Sequence, residues 1–178
     1  MEERGVGLEP PSRAPGPDSV TETVDLEQNP IIQKIRGWRP ETVASLISFR
    51  GELTVVTYRE HLRPLAEFLL SDADLAFTYL SDVTGVYRFP IEPRFELNYH
   101  LLSLSRRETI RLRVRLPGED PVIDSVVPVW PTANWHEREI FDLLGIRFVG
   151  HPNLRRMLLP DDWEGFPLRK DYPVEGPR

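Results

Sequence analysis

The sequence predicts an α+β domain of two layers, helices packed on one face of a mostly antiparallel sheet, followed by an extended C-terminal arm. Three observations predict it. Runs with two-residue apolar alternation follow one another with little helix between them, which argues against a doubly wound parallel sheet. The helical runs are short and amphipathic. Beyond residue 150 the apolar residues lose all period and are interleaved with Pro152, Pro160, Gly165, Pro167 and Pro173.

Residues 1–19 hold Gly5, Gly7, Pro10, Pro11, Pro15, Gly16 and Pro17 and almost nothing apolar. Such a composition does not offset the entropy of ordering, so 1–28 reads as a disordered acidic tail ahead of a domain over 29–150 and an arm over 151–178. Ile31, Ile32 and Ile35 recur at helical spacing. After Pro40, Glu41 to Ser48 reads as a second short helix with Val43, Leu46 and Ile47 on one side. Gly51 introduces a strand, Glu52 to Arg59, by its Thr and Val content. His61 to Leu70 places Leu62, Leu65, Phe68 and Leu69 on a helical stripe, Pro64 falling in the first turn.

Three strands follow. Leu75 to Leu80 alternates Leu75, Phe77 and Tyr79 with Ala76 and Thr78, and Phe95, Leu97, Tyr99 and Leu101 share one face of the next run. Thr109 to Leu116 is the clearest: Ile110, Leu112, Val114 and Leu116 on one side, Arg111, Arg113 and Arg115 on the other. Its basic side is either an ordinary solvated face or a site for an acidic partner or phosphate. Pro117 to Pro121 is turn chemistry.

The chain has 178 residues, 40% of them hydrophobic, which fills one core. No apolar run approaches the roughly 20 residues that cross a bilayer, and the first residues lack a secretory signal's basic end and apolar stretch, so a cytosolic face is expected. There is no cysteine, which excludes thiolate nucleophiles, disulfides and thiolate-ligated iron–sulfur clusters on these residues. The net charge of -6 sits mostly in residues 1–30, where seven acids face Arg4 and Arg13. Bulk charge therefore suggests neither nucleic acid nor a polybasic membrane patch.

Asn134 to Gly145 has the marks of a short helix. Asn134 and Glu137 have the spacing of a capping box, and Gly145 suits the left-handed position that ends a helix. Ile140, Leu143 and Leu144 supply the buried stripe. The charge density of Glu137, Arg138, Glu139 and Asp142, with His136 before and His151 after, exceeds what folding needs: an exposed Arg138–Asp142 pair is worth at most a few tenths of a kcal/mol. Contact with another protein surface is the better explanation. The aromatics of the arm, among them Trp163, Phe166 and Tyr172, need cover from the chain's own sheet or from a neighbouring chain.

Glu137-Arg138-Glu139, Asp142-Leu143-Leu144-Gly145 and Gly150-His151-Pro152-Asn153-Leu154-Arg155-Arg156 resemble the signature of the thirty-kilodalton subunit family of respiratory complex I. Trp163 and the ending Arg169-Lys170-Asp171-Tyr172-Pro173 are similar to that family's C-terminal arm. The match is looser upstream. The resemblance implies an accessory subunit of the peripheral arm of a proton-translocating NADH:quinone oxidoreductase, with no active site of its own. FMN, iron–sulfur clusters and quinone are then expected on partner subunits. The implied neighbours are the quinone-pocket subunit of forty-nine-kilodalton type and cluster-bearing subunits. The implied place is the cytoplasmic side of the cell membrane, reached only through the complex. Glu137, Arg138, Glu139, Asp142, His151, Arg155, Arg156, Trp163, Arg169, Lys170, Asp171 and Tyr172 would carry interface or fold-locking contacts.

Two other classes remain open at this point: a stand-alone binding or scaffold module, and a metal-assisted hydrolase built on His136 and Glu139, three apart on one helix. Glu137 and Glu139 do not make a catalytic pair, because residues two apart on a helix point about 200° from each other. His136 and His151 are read as structural, His151-Pro152 marking a turn.

Overall fold

The computed structural model describes residues 26–175. The reading of 1–28 as a disordered tail lies outside these residues except at its end, where Leu26–Gln28 forms a turn and Glu27 pairs with Arg36 at 2.7 Å. Helix α1 (Pro30–Trp38) starts where Asn29 caps it, its side chain accepting the Ile31 N–H at 2.9 Å with Pro30 in the first turn. Ile31, Ile32 and Ile35 are its buried side.

The helix expected over Glu41 to Ser48 is not there. A single turn, Pro40–Thr42, is followed by strand β1 (Ser45–Phe49). The reason is tertiary: Arg50 and Gly51, with φ of 53° and 79°, close a two-residue hairpin that pairs β1 with β2 (Glu52–Thr57). Helix α2 (Arg59–Ser71) begins earlier than its apolar stripe suggests, so Pro64 lies beyond the first turn and leaves the Glu60 carbonyl without its helical donor.

The strand expected over Leu75 to Leu80 is also corrected. Asp72 accepts the N–H groups of Asp74 and Leu75, and Ala76 takes φ 44°, so this segment is a turn that still buries Leu75 and Phe77. The strand is β3 (Tyr79–Tyr87), whose Ser81, Asp82, Thr84 and Gly85 hide its pattern. Strands β4 (Phe95–Ser103) and β5 (Glu108–Leu116) lie where their alternation puts them.

The five strands lie in the order β1-β2-β5-β4-β3, antiparallel except for the β2–β5 pair. A two-stranded parallel sheet, β6 (Val122–Asp124) with β7 (Arg147–Val149), flanks helix α3 (Ala133–Leu144). Its three-residue strands are too short to leave a sequence pattern. Leu53, Val55, Leu97, Tyr99, Leu112 and Val114 face Ile32, Ile35, Leu62, Leu65, Leu69, Ile140 and Leu144 in one core, and each such side chain contributes about 1.5–3 kcal/mol. The two-layer α+β architecture is thus the one the sequence predicts.

The sheet's other face carries an ionic ladder. Glu96 meets Arg88 at 3.2 Å, Arg113 at 3.2 Å and Arg115 at 3.4 Å, while Glu52 pairs with Arg111. The basic stripe of β5 is therefore interleaved with carboxylates from β2 and β4.

Candidate functional site

Helix α3 and the arm make one unit, and most of the charge singled out in the sequence lies at their junction. Glu137 does not cap the helix. The cap residue is Thr132, without a side-chain bond, and Glu137 is fully buried. Its carboxylate accepts the Ser125 hydroxyl at 2.6 Å and the Val126 N–H at 2.8 Å, tying α3 to the loop after β6. Burial pushes its pKa up to about 7 against the opposing pull of Ser125 and Val126. The buried Tyr99 phenol faces it; burial first, and then the Glu137 charge, raise that hydroxyl well above its usual range.

Asp142 is fully buried as well. One oxygen receives the Arg156 guanidinium at 2.7 Å, and the other accepts three successive backbone N–H groups, Met157 at 3.0 Å, Leu158 at 2.8 Å and Leu159 at 3.0 Å. Burial alone would raise this carboxyl, but the guanidinium and the three amides outweigh it and hold the pKa below the ordinary value. Arg138, whose spacing suggested a pair with Asp142, instead donates to the carbonyls of Arg155 and Arg156, each at 3.1 Å, and lies over the Trp135 ring. Arg138 and Asp142 thus bind the chain's own arm and Glu137 the loop after β6, so these three make fold-locking contacts. A side chain that satisfies several successive backbone groups at once is worth more inside than exposed.

The arm continues along α3. Arg156 also donates to the carbonyls of Trp163 and Gly165, each at 3.0 Å. Arg169 donates to the Leu144 carbonyl at 2.7 Å, placing a cation at the helix C-terminus, and sits between the Phe95 and Phe166 rings. Burial lowers its pKa, with Asp171 and Tyr87 opposing. The Tyr87 hydroxyl donates to Asp171 at 3.0 Å, joining β3 to the arm. His151 bonds the Asn134 carbonyl at 3.2 Å and accepts the Asn153 N–H at 3.0 Å, the turn its sequence suggested. Tyr172 donates to the Glu164 carbonyl at 3.4 Å, beside Gly165, whose φ is 83°.

Glu139, Arg155 and Lys170 point outward, and Trp135, Leu158 and Leu168 stay 57–58% exposed, with Met157 at 36%. His136 faces Asp82 at 3.4 Å rather than sharing a site with Glu139. Among the described residues no three His, Cys, Asp or Glu side chains gather as a metal site. Ser125, Tyr87 and Phe95 are parts of this junction that the sequence did not reveal, since each is brought in from a distant segment.

Residues 55–178 match the family described as respiratory-chain NADH dehydrogenase, 30 Kd subunit. The C subunit of the NADH-quinone oxidoreductase of Roseiflexus sp. (strain RS-1) is 42% identical over 149 residues, 84% of this chain and 86% of that one. The corresponding NADH-quinone oxidoreductase protein of Geobacter sulfurreducens is 42% identical over 152 residues, 85% of this chain and 93% of its own length. Among solved structures, a trypsin-resistant fragment of Nqo5 superposes with a TM-score of 0.60 at 30% identity, covering 70% of this chain and 98% of the fragment.

Proposed function

This chain belongs to the respiratory-chain NADH dehydrogenase 30 Kd subunit family, and from that membership we propose that it acts as an architectural subunit rather than as a carrier of electrons. It is a subunit of the peripheral arm of an NADH-quinone oxidoreductase, with other subunits of that complex as its partners. Its task is to brace the subunit that forms the quinone pocket, so that electron transfer there is coupled to ion movement elsewhere. FMN, iron–sulfur clusters and quinone reside on those partners, and the chain meets the membrane at its cytoplasmic side only through them. No helix among the described residues is long and apolar enough to cross a membrane.

One observation carries this reading. Asp142 and Arg169 hold the arm against α3, and the held arm presents Met157, Leu158 and Leu168 to solvent, as α3 does Trp135. Exposed aliphatic and aromatic side chains on a fixed backbone are what a docking surface requires, since the ordering entropy is already met before contact. Glu139, Arg155 and Lys170 would make the outer polar contacts of that surface. His151, Arg156, Trp163, Asp171 and Tyr172, with the inward Glu137, Arg138, Asp142 and Arg169, would set its shape.

The test is affinity purification of the tagged chain from membranes solubilised in mild detergent. Flavin absorbance and iron–sulfur signals are expected in the eluate. A colourless monomer recovered from the soluble fraction overturns the reading.

A further inference from the structure

Strand β3 ends the five-stranded sheet, and its outer side pairs with no strand among the described residues. An antiparallel strand turns every second pair of N–H and C=O groups away from its neighbour, so this edge is a row of backbone donors and acceptors. Edges are often blunted by bulges and charges. Here a bulge lies between Leu80 and Asp82, but from Asp82 to Tyr87 the pairing with β4 is regular, leaving about 20 Å of straight edge.

Alongside lies a groove of about 300 Å³ lined by Asp82, Val83, Thr84 and Gly85 of β3, Glu139, Ile140, Leu143 and Leu144 of α3, and Leu168 of the arm. Four consecutive strand residues line it although their side chains alternate between faces. What they share is the strand's outer backbone edge, so the groove runs beside it. Gly85 shapes its floor: a Cβ there would stand 2.6 Å from Leu144 and 3.3 Å from Ile140. The walls are aliphatic and the rim is acidic, with Asp82 half exposed and Glu139 exposed.

We propose that this edge and groove take up an extended segment of a partner subunit as a sixth strand, seating an aliphatic side chain between β3 and α3 with flanking basic side chains over Asp82 and Glu139. The proposal rests on the chain's place in a multisubunit complex. Backbone pairing supplies the affinity and the groove supplies the choice of side chain, as in other strand-addition sites. Two carboxylates at the rim select against acidic segments by like-charge repulsion.

The experiment uses the full chain and a fluorescent capped heptapeptide, Lys-Val-Lys-Leu-Lys-Val-Lys, read by anisotropy. Saturable binding is expected, weakened about ten-fold or more when alternate peptide amides are N-methylated, since each loses a strand hydrogen bond. Glu139→Lys should weaken binding by roughly ten-fold, and a Glu-for-Lys peptide should fail, while Glu41→Lys, exposed just ahead of β1 at the opposite edge of the sheet, leaves binding unchanged. Equal affinity for the N-methylated peptide, equal affinity for the acidic peptide, or self-association of the chain through this edge overturns the proposal. If the peptide does not bind although the tagged chain brings down its partner subunits, strand addition is refuted and the family-based function stands. Failure to bring them down refutes that function instead.

Discussion

Asp142 on α3 and Arg156 on the arm meet at 2.7 Å with their side chains 0% and 14% exposed, and the same carboxylate gathers the next three backbone amides. Removing one partner of such a pair leaves the other charge buried without compensation. Asp142→Asn is expected to lower unfolding free energy by about 3–5 kcal/mol, measured by urea denaturation. Because the folded-state pKa of Asp142 is depressed, its stabilisation is present above the unfolded value and lost as pH falls through the folded one. The wild-type chain should therefore lose stability in acid more steeply than Asp142→Asn. A variant as stable as wild type would show that the arm is held by other contacts.

Glu137 has the opposite sign. Its pKa rises from 4.5 to about 7 in the fold, so the native state binds more protons than the unfolded chain between those values. Stability contributed by this group falls as pH rises through that window and levels off above it, by on the order of 3 kcal/mol. Glu137→Gln mimics the protonated form and should flatten the profile, leaving the variant more stable than wild type at pH 8 relative to pH 5. Parallel urea midpoints for the two proteins across this range would contradict the assignment.

Cutting the chain after Leu159 removes Arg169, Asp171 and Tyr172 but leaves Asp142 its three amides and Arg156. Among the described residues, the buried hydrophobic ones all precede residue 149. The truncated chain should keep its far-ultraviolet circular dichroism and a cooperative melt. It should not enter the complex on native gels; normal incorporation would exclude the arm from docking.

Two glycines should respond with opposite signs. Gly145 closes α3 at φ 75°, and a Cβ there would lie 2.5 Å from Phe166, so Gly145→Ala should cost more than about 1 kcal/mol. Gly37 lies in α1 with nothing within 4 Å of its Cβ position, and Gly37→Ala should stabilise by roughly 0.5–1 kcal/mol. Thermal melts of the pair check both. Equal shifts would mean that the backbone at Gly145 is not constrained.

Elements with a strong period are legible in the sequence. Strand β5, with its alternation of aliphatic and arginine side chains, and β4, with Phe95, Leu97, Tyr99 and Leu101 inward, fall within a residue or so of where that alternation puts them. Strand β1 reads as helix because Val43, Leu46 and Ile47 satisfy helical spacing as well as they fit a hairpin, and only the Arg50–Gly51 turn and pairing with β2 decide between them. Strand β3 is hidden because an edge strand needs only one apolar face, and Gly85 replaces a side chain where α3 approaches.

The sequence by itself determined the class of fold, the family and the absence of cysteine, and it marked out the charged stretch of α3 and the arm. Local spacing and composition carry that information. Only the tertiary structure decided the roles: Glu137 turns to Ser125, Arg138 and Asp142 to the arm, and Glu139 to the outer groove, on one helix and within six residues. The physical reason is that a charged side chain's partner is set by what folding brings to it from 11 to 18 residues away or more, and no local pattern records which direction will be covered.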